Sequence, residues 1–296
     1  MGNYTVPEHH VLQFSDQVGL LSQQMESDFF AAVDVRDFFG ENAEVIKQYG
    51  TTSFTDLTDA QADTAFDSIN KDSRWCFPSD KKNVLATTRE DELRTIINTT
   101  NPLVMGQAAA LARLYDATIM TGAIGSNQTG KYDALVSTPL PASQIINSTA
   151  TGVAFSLAFV KQAKKKMDEA NVSKMDRFIS VSPDQMSRLM DDPEVTSSDY
   201  NTVKALVQGE INTFLGFTWI MSTSNPTTGD IESAVCWQRS GLCLGLWARD
   251  GRRVFSRINE RPDKNYITQV YSKVTLGATR TEEVKVVEIR SDKTAA

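Results

Sequence analysis

Histidine and cysteine, the residues most often recruited for acid–base, nucleophilic and metal chemistry, are nearly missing from this chain of 296 residues. The two histidines, His9 and His10, are neighbours in the first segment, and adjacent residues of an extended chain point to opposite sides, which suits joint ligation poorly. They read as part of a solvated tail. The three cysteines, Cys76, Cys236 and Cys243, show no C-x-x-C or C-x-x-H spacing. That gives neither a disulfide framework nor a zinc site, and reduced thiols in a cytoplasm are the plain expectation. Nowhere do 18 apolar residues follow one another, and "MGNYTVPEHHVLQF" has no basic segment ahead of an apolar run, so neither a membrane span nor a secretion signal is expected. The Met-Gly start carries Val6 where a myristoylation signal needs Ser or Thr. The five N-x-[ST] sequons, beginning at Asn3, Asn98, Asn127, Asn147 and Asn171, read as chance composition. Basic charge is also short: Lys and Arg number 30 against 37 Asp and Glu, a net charge of -7. Such a molecule repels phosphate, so nucleic-acid binding driven by charge is not expected.

What is present is ordinary globular material, 41% hydrophobic and 23% charged, enough for one large domain or two smaller ones. Val18, Leu21, Met25 and Phe29 recur at helical spacing and predict a helix over about 16–32. Residues 49–88 are polar, weakly periodic and rich in Thr, Asp and Ser, an extended excursion rather than core. The clearest helix follows, with Asn101 as cap, Pro102 in the first turn, a stripe through Val104, Ala108, Leu111, Tyr115, Thr118 and Ile119, and an end at Gly122 and Gly125. Beyond a Pro/Ser/Thr loop come a helix through Phe159, Val160, Ala163, Met167 and Ala170, the short strand "RFISV", a helix capped by Ser182-Pro183, and a helix around "DYNTVKALVQ". "TFLGFTWIMS", "AVCWQR" and "LCLGLW" are apolar and strand-like. The chain closes on long strands in which Val270, Val274 and Leu276 share one face. Alternation slips at Val286 and Val287, as a bulge or a change of face would cause.

The search for chemistry finds no catalytic, cofactor-binding or metal-binding residue to name. "GSNQTGKY", Gly125–Tyr132, satisfies G-x-x-x-x-G-K but places Tyr132 where magnesium needs Ser or Thr, and it leaves a helix rather than entering one. Ser126 and Ser240 sit beside glycines without forming G-x-S-x-G. "TREDELR" interleaves both signs as a solvated helix face does. Trp219, Trp237 and Trp247 lie in apolar segments and read as core. "KQAKKK" is a helix face, and the basic cluster "DGRRVFSR" a loop or intersubunit feature.

The order of segments carries more than any motif. "FSDQVGLLSQQMESDFFAAV", then a polar stretch, then "NPLVMGQAAALARLYDATIMTGAIG" with Gln107, Ala108, Arg113 and Asp116, resembles the N-terminal arm, E-loop and spine helix of the Hong Kong 97-like major capsid proteins of short-tailed bacteriophages. "RFISVSPDQMSRLM", "SSDY", a helix ending at Gly209, "GF" and the S-x-x-x-P of Ser222–Pro226 resemble their axial domain, and "GATR" resembles a turn on the return to the peripheral domain. The resemblance implies an α+β capsid fold divided into an N-terminal arm (1–45), an E-loop region (46–100), a peripheral domain with the spine helix (101–145), an axial domain (146–260) and peripheral C-terminal strands (261–296). It implies a structural protein rather than an enzyme, without cofactors. Its copies would form homo-pentamers and homo-hexamers of an icosahedral head in the virion, enclosing double-stranded DNA without specific binding. Arm, E-loop and the "NPTTGD" loop would form contacts between subunits. With no long extension ahead of the arm, assembly would use a separate scaffolding protein and a portal in the host cytoplasm. Lys81 and Lys82 lie near the E-loop, yet no motif marks an Asn or Glu partner for covalent cross-linking. An encapsulin-like compartment is the alternative within the same fold.

Overall fold

The protein is described from a computed structural model covering residues 23–54, 56, 69, 71–87, 100–147, 149, 151–191, 213–248 and 251–295. Its longest element is α1 (Thr100–Ile124), 25 residues and so about 37 Å at 1.5 Å per residue. Good helix formers such as Ala108–Ala110 and Leu111 fill its interior and no proline interrupts it after Pro102. Alongside runs β15 (Ile267–Arg280), a strand of 14 residues. One edge of β15 carries β14 (Val254–Arg261) followed by β13 (Leu242–Trp247); the other carries β4 (Ser79–Thr87), and β1 (Asp34–Phe38) adds in parallel to β13. Leu276 marks the arrangement, pairing with Leu246 on one side and Ser79 on the other.

A seven-stranded sheet has the order β7 (Ile145–Ile146), β16 (Val286–Asp292), β12 (Ile231–Gln238), β8 (Arg177–Val181), β10 (Phe217–Met221) and β9 (Thr213–Phe214), with β11 (Thr227–Thr228) on β12. Two helices, α2 (Leu157–Glu169) and α3 (Pro183–Asp191), belong to this unit. Strand β12 is a wall between two cores, because its alternate residues face opposite ways. Ala234 and Cys236 pack with Leu157, Val160 and Met167 of α2. Val235 and Trp237 pack with Phe29, Ile119, Met120 and Leu276 on the α1 side. A smaller four-stranded sheet, β2 (Ala43–Tyr49), β3 (Lys71–Cys76), β5 (Asn127–Thr129) and β6 (Val136–Thr138), is tied to the turn after β15 by a bidentate pair, Arg74 Nη1 and Nη2 to Glu283 at 2.7 and 2.8 Å.

Several expectations hold. Leu157, Val160, Ala163 and Met167 form the buried stripe of α2. Ser182 and Gln185 form a reciprocal capping box at α3, each side-chain oxygen accepting the other's backbone N–H at 3.1 Å, with Pro183 in the first turn. Val270, Val274 and Leu276 are buried on one face.

Others are corrected. Met25 and Phe29 lie in an irregular segment before a single 3-10 turn at Phe30–Ala32, because the Asp116 carboxylate of α1 takes up the backbone donors of Asp28 and Phe29; Val18 and Leu21 lie outside the described residues, as does the segment "DYNTVKALVQ". The polar excursion contains β3, whose Cys76 is buried against Val45 and Cys243. "TFLGFTWIMS" is a hairpin, with Leu215 and Gly216 at φ 54° and 82° in its two-residue turn. The pairing of β12 with β16 is unbroken from Ile231–Asp292 to Trp237–Val286, so no bulge lies at Val286 and Val287; both are buried because the strand has a core on each face. "GATR" is no turn but the end of β15. Residues 261–296 therefore divide between two sheets, β15 in one and β16 in the other, while β13 and β14 join β15.

Two glycines permit close approaches to β15, Gly122 from α1 and Gly277 towards the Cys76–Phe77 backbone on the other face of the strand. A Cβ on Gly122, inside the helix rather than at its end, would sit 2.7 Å from Ala278 Cβ. One on Gly277 would collide with the Phe77 carbonyl oxygen and lie 3.0 Å from Cys76 Sγ. Gly106 of α1 has open space around it. Gly277→Ala is expected to lower stability by about 2 kcal/mol, and Gly106→Ala to raise it by up to ~1 kcal/mol. Thermal unfolding of the unassembled subunit measures both, and equal midpoints for the two variants would show that the close approach is unimportant.

Candidate assembly surfaces

Helix α1 gathers the chain through polar side chains at three levels. Near its start, Gln107 donates from Nε2 to the Val270 carbonyl at 2.9 Å and accepts from Ser272 Oγ, which sets the register of helix on strand. In the middle, the fully buried Asp116 receives the Gln24 side-chain amide, the Ser27 hydroxyl and the backbone N–H groups of Asp28 and Phe29 at 3.1 and 3.2 Å. Four donors replace the water a buried carboxylate loses. Arg113 holds Gln23 Oε1 at 3.0 Å and the Gln24 carbonyl at 3.3 Å. At the end, the guanidinium of Arg280, fully buried, donates to the carbonyls of Ala123 at 2.8 Å, Gly125, and Thr138 at 3.1 Å. It thereby meets the orphan carbonyls and negative dipole end of the helix, while burial pushes its pKa below the usual arginine range.

The residues weighed as sites are dispersed. His9 and His10 lie outside the described residues. Gly125–Tyr132 turns into β5 and is followed only by a single 3-10 turn at Tyr132–Ala134, not by an α-helix: Asn127 Nδ2 caps the Gly122 carbonyl at 3.0 Å, and Trp75 Nε1 donates to the Gly130 carbonyl at 2.8 Å. Ser240 is bonded to Gln238 and receives Lys285 Nζ at 3.3 Å, an ammonium that is itself paired with Glu282 at 3.2 Å. The thiols are buried, which pushes Cys76 and Cys243 up to about 12, far from a reactive thiolate. Trp219 and Trp237 are core, and Trp247 Nε1 is held by the Gly40 carbonyl at 2.9 Å. Among the described residues no group of three His, Cys, Asp or Glu is placed to hold a metal, and no helix is long and apolar enough to cross a membrane.

Large surfaces are what remain. The face of β4, β15 and β14 turned away from α1 presents Lys82 opposite Lys273, and Tyr271 opposite both Val84 and Arg257. Like charges directly across a ladder repel, and Asp80 pairs with Lys273 alone, at 3.2 Å. Phe255 and Ile258 are half exposed on β14, Met175 and Met221 are exposed on the α/β unit, and Phe54 is fully exposed. The "NPTTGD" loop forms a short exposed hairpin from β11 into β12.

A family model described as phage capsid protein matches residues 6–293. The chain belongs to the phage capsid protein family. Its fold is that of the Hong Kong 97-like capsid proteins, seen in its similarity to the capsid of cyanophage P-SCSP1u, at 14% identity over 96% of this chain and 93% of the other with a TM-score of 0.74. The capsid asymmetric unit of cyanophage Pam1 is similar at 10% identity, 100% of both chains and a TM-score of 0.70. A weaker likeness is to the holo-SrpI encapsulin complex of Synechococcus elongatus PCC 7942, at 9% identity, 96% and 94% coverage and a TM-score of 0.62. No curated protein matches by sequence.

This is a major capsid protein, and its working parts are a stiff plate and exposed faces. Gln107, Arg113 and Asp116, quoted as spine-helix features, turn out to fasten that helix to β15 and to the segment 23–29. The role of Arg280 was missed because a lone arginine in a strand carries no spacing signal; only the arrival of β15 beside the end of α1 gives it one. In this capsid protein Asp28 faces Asp116, and burial first, with the Asp116 charge behind it, pushes its carboxyl above the usual range against a Ser222 hydrogen bond. A raised folded-state pKa in an acid means that ionisation opposes folding, fully so above the folded value and not at all below the unfolded one. Asp28→Asn is therefore expected to stabilise the subunit at pH 7, with the gain vanishing in strong acid. Asp116→Ala, which orphans buried donors, is expected to cost about 3 kcal/mol. Denaturant titrations across pH test both; a gain for Asp28→Asn that grows as pH falls would reverse the assignment.

Proposed function

We propose that this capsid protein assembles as pentamers and hexamers into the icosahedral head of a bacteriophage, enclosing double-stranded DNA. The observation that carries the reading is the family match across residues 6–293, together with exposed faces at both ends of a rigid plate. Repeated heterologous contacts close into rings and rings into a shell only if each subunit keeps its shape, and a helix of 25 residues locked on a strand of 14 supplies that stiffness. The peripheral part comprises α1 with β1, β4 and β13–β15, and the axial part comprises α2, α3 and the seven-stranded sheet. The segment up to residue 45 and the E-loop region 46–100 contribute contacts to neighbours. A separate scaffolding protein and a portal direct assembly in the host cytoplasm, and no residue is assigned a catalytic role. The net charge of -7 keeps the wall from binding packaged DNA tightly.

An encapsulin-like shell is the second reading, favoured by the likeness to the holo-SrpI encapsulin complex. Electron microscopy and sedimentation of the protein made together with its scaffolding partner decide between them. Hollow shells of uniform size that package DNA are expected. Shells filled with an enzyme cargo would favour the second reading, and a small discrete oligomer in the presence of a working partner would overturn both.

A further inference from the structure

Along its inner edge β14 pairs with β15, from Val254 opposite Val274 to Arg261 opposite Ile267, while its outer edge has no strand beside it among the described residues. Every residue from Phe255 to Arg261 is exposed. An edge of this length offers a row of unpaired backbone N–H and C=O groups to another strand, and proteins usually protect such an edge with lysine, proline or a bulge. On the other side of β15, β4 carries the adjacent Lys81 and Lys82. Strand β14 has neither Lys nor Pro, and its register is unbroken.

The side chains of β14 suit a second copy of the same strand. Two identical antiparallel strands in one sheet are related by a two-fold axis normal to the sheet, so α1 lies on the same side in both copies and residues opposite each other share a face. The midpoint of β14 falls between Arg257 and Ile258, and two registers then pair it with itself over nearly its whole length. A register centred on Arg257 sets that guanidinium opposite its own copy, and like charges directly opposite are unfavourable. A register centred on Ile258 instead sets two half-exposed isoleucines against each other. It also sets Arg257 opposite Asn259 and Ser256 opposite Glu260, in each case a donor against an acceptor. Arg257 has no hydrogen bond or ion pair of its own among the described residues. Phe255 comes opposite Arg261, a cation beside a ring, with that guanidinium already steadied by Asp263 at 2.9 Å.

We propose that β14 is an interface between copies of this chain: it pairs antiparallel with β14 of a second copy in the register that sets Ile258 opposite Ile258, and so joins two five-stranded sheets into one. A two-fold contact of this kind cannot build a pentamer or hexamer, whose contacts are heterologous, so it links one ring to the next. The proposal rests on the reading of the chain as a shell subunit, because a contact of one strand is small and gains strength when many copies act together.

Cysteine cross-linking of the full-length chain tests it. Ile258→Cys, at an exposed position, is treated with a short bis-maleimide in shells and, separately, in concentrated unassembled subunit. The three native cysteines are buried and stay silent. Directly opposite residues have Cβ atoms about 5 Å apart, whereas Phe255 lies roughly 20 Å along the strand from Phe255 of the second copy in this register. The expected result is a covalent dimer from most of the Ile258→Cys protein and at least tenfold less from Phe255→Cys, while a mixture of Phe255→Cys and Arg261→Cys gives dimers containing one of each. Adding Asn259→Lys, which puts a like charge opposite Arg257, is expected to lower the Ile258→Cys dimer severalfold, and adding Asn259→Asp to raise it. Equal dimer from Ile258→Cys and Phe255→Cys, or none from Ile258→Cys in well-formed shells, would overturn the proposal and leave the shell reading intact. If the unaltered chain forms no shells, the shell reading fails on its own, and the cross-link in concentrated subunit still decides the strand contact.

Discussion

The approach of α1 to β15 is the constraint on which the rest of the structure depends. Helix and strand come so near that Gly122 lies against Ala278, with no room for a Cβ between them. Close packing of this kind transmits displacement instead of absorbing it, so the two long elements behave as one body. Polar groups fix their relative position: Gln107 at one end bonds to Val270 and Ser272, and Arg280 at the other closes the helix carbonyls. Because Arg280 is carried by β15 and its acceptors by α1, the strand itself supplies the helix cap. Neither element could slide along the other without leaving buried donors or acceptors unpaired, a penalty of about 1–3 kcal/mol for each such group.

From this plate the other layers take their places. Asp116 draws in the segment from Gln24 to Phe29 and so delivers Phe29 edge-on to Trp237, at 5.8 Å between ring centroids. Trp237 belongs to β12, whose opposite face builds the core of the α/β unit, and its indole N–H is held by the Ala32 carbonyl at 2.9 Å. The two halves thus share a strand rather than meeting across a linker. For a shell subunit this matters mechanically. Force applied at the α/β end reaches the α1–β15 plate through covalent backbone and packed side chains.

The same design shows in the polar interior of the described residues. Ionisable groups inside the protein are consumed by structural tasks: Asp116 holds a segment, Arg177 binds Asp168 and the Val172 and Ser173 carbonyls, Arg74 clasps Glu283, and Glu232 meets Ser182. What faces solvent is an uncovered basic and aromatic sheet face and scattered large apolar side chains, features suited to contact with other protein.

The sequence by itself determined that α1 is a long helix, the buried stripe of α2, the cap at Ser182 with Pro183 in the first turn, the buried parity of β15 and, through the order of its segments, the capsid family; the buried face of α1 runs through Ala109, Ala112, Asp116, Met120 and Ala123 and not through the Val104–Ala108 stripe. The properties that the sequence determined are local or sequential, set by the 3.6 and 2.0 residue periods and by turn chemistry. It also singled out Gln107, Arg113 and Asp116 without assigning them partners, since those partners lie 88 to 163 positions away in the chain for Asp28 and Val270. Only the tertiary structure decided that "GATR" continues a strand, because Gly277 is demanded by the Phe77 carbonyl and not by a turn. It alone explained the lost alternation at Val286 and Val287, where two cores lie on opposite faces of one strand. It also joined β13 and β14 to β15 while sending β16 to the other sheet. Strand partnership depends on which edges and faces remain free after the long elements have packed, and a periodicity read along one chain holds no record of that.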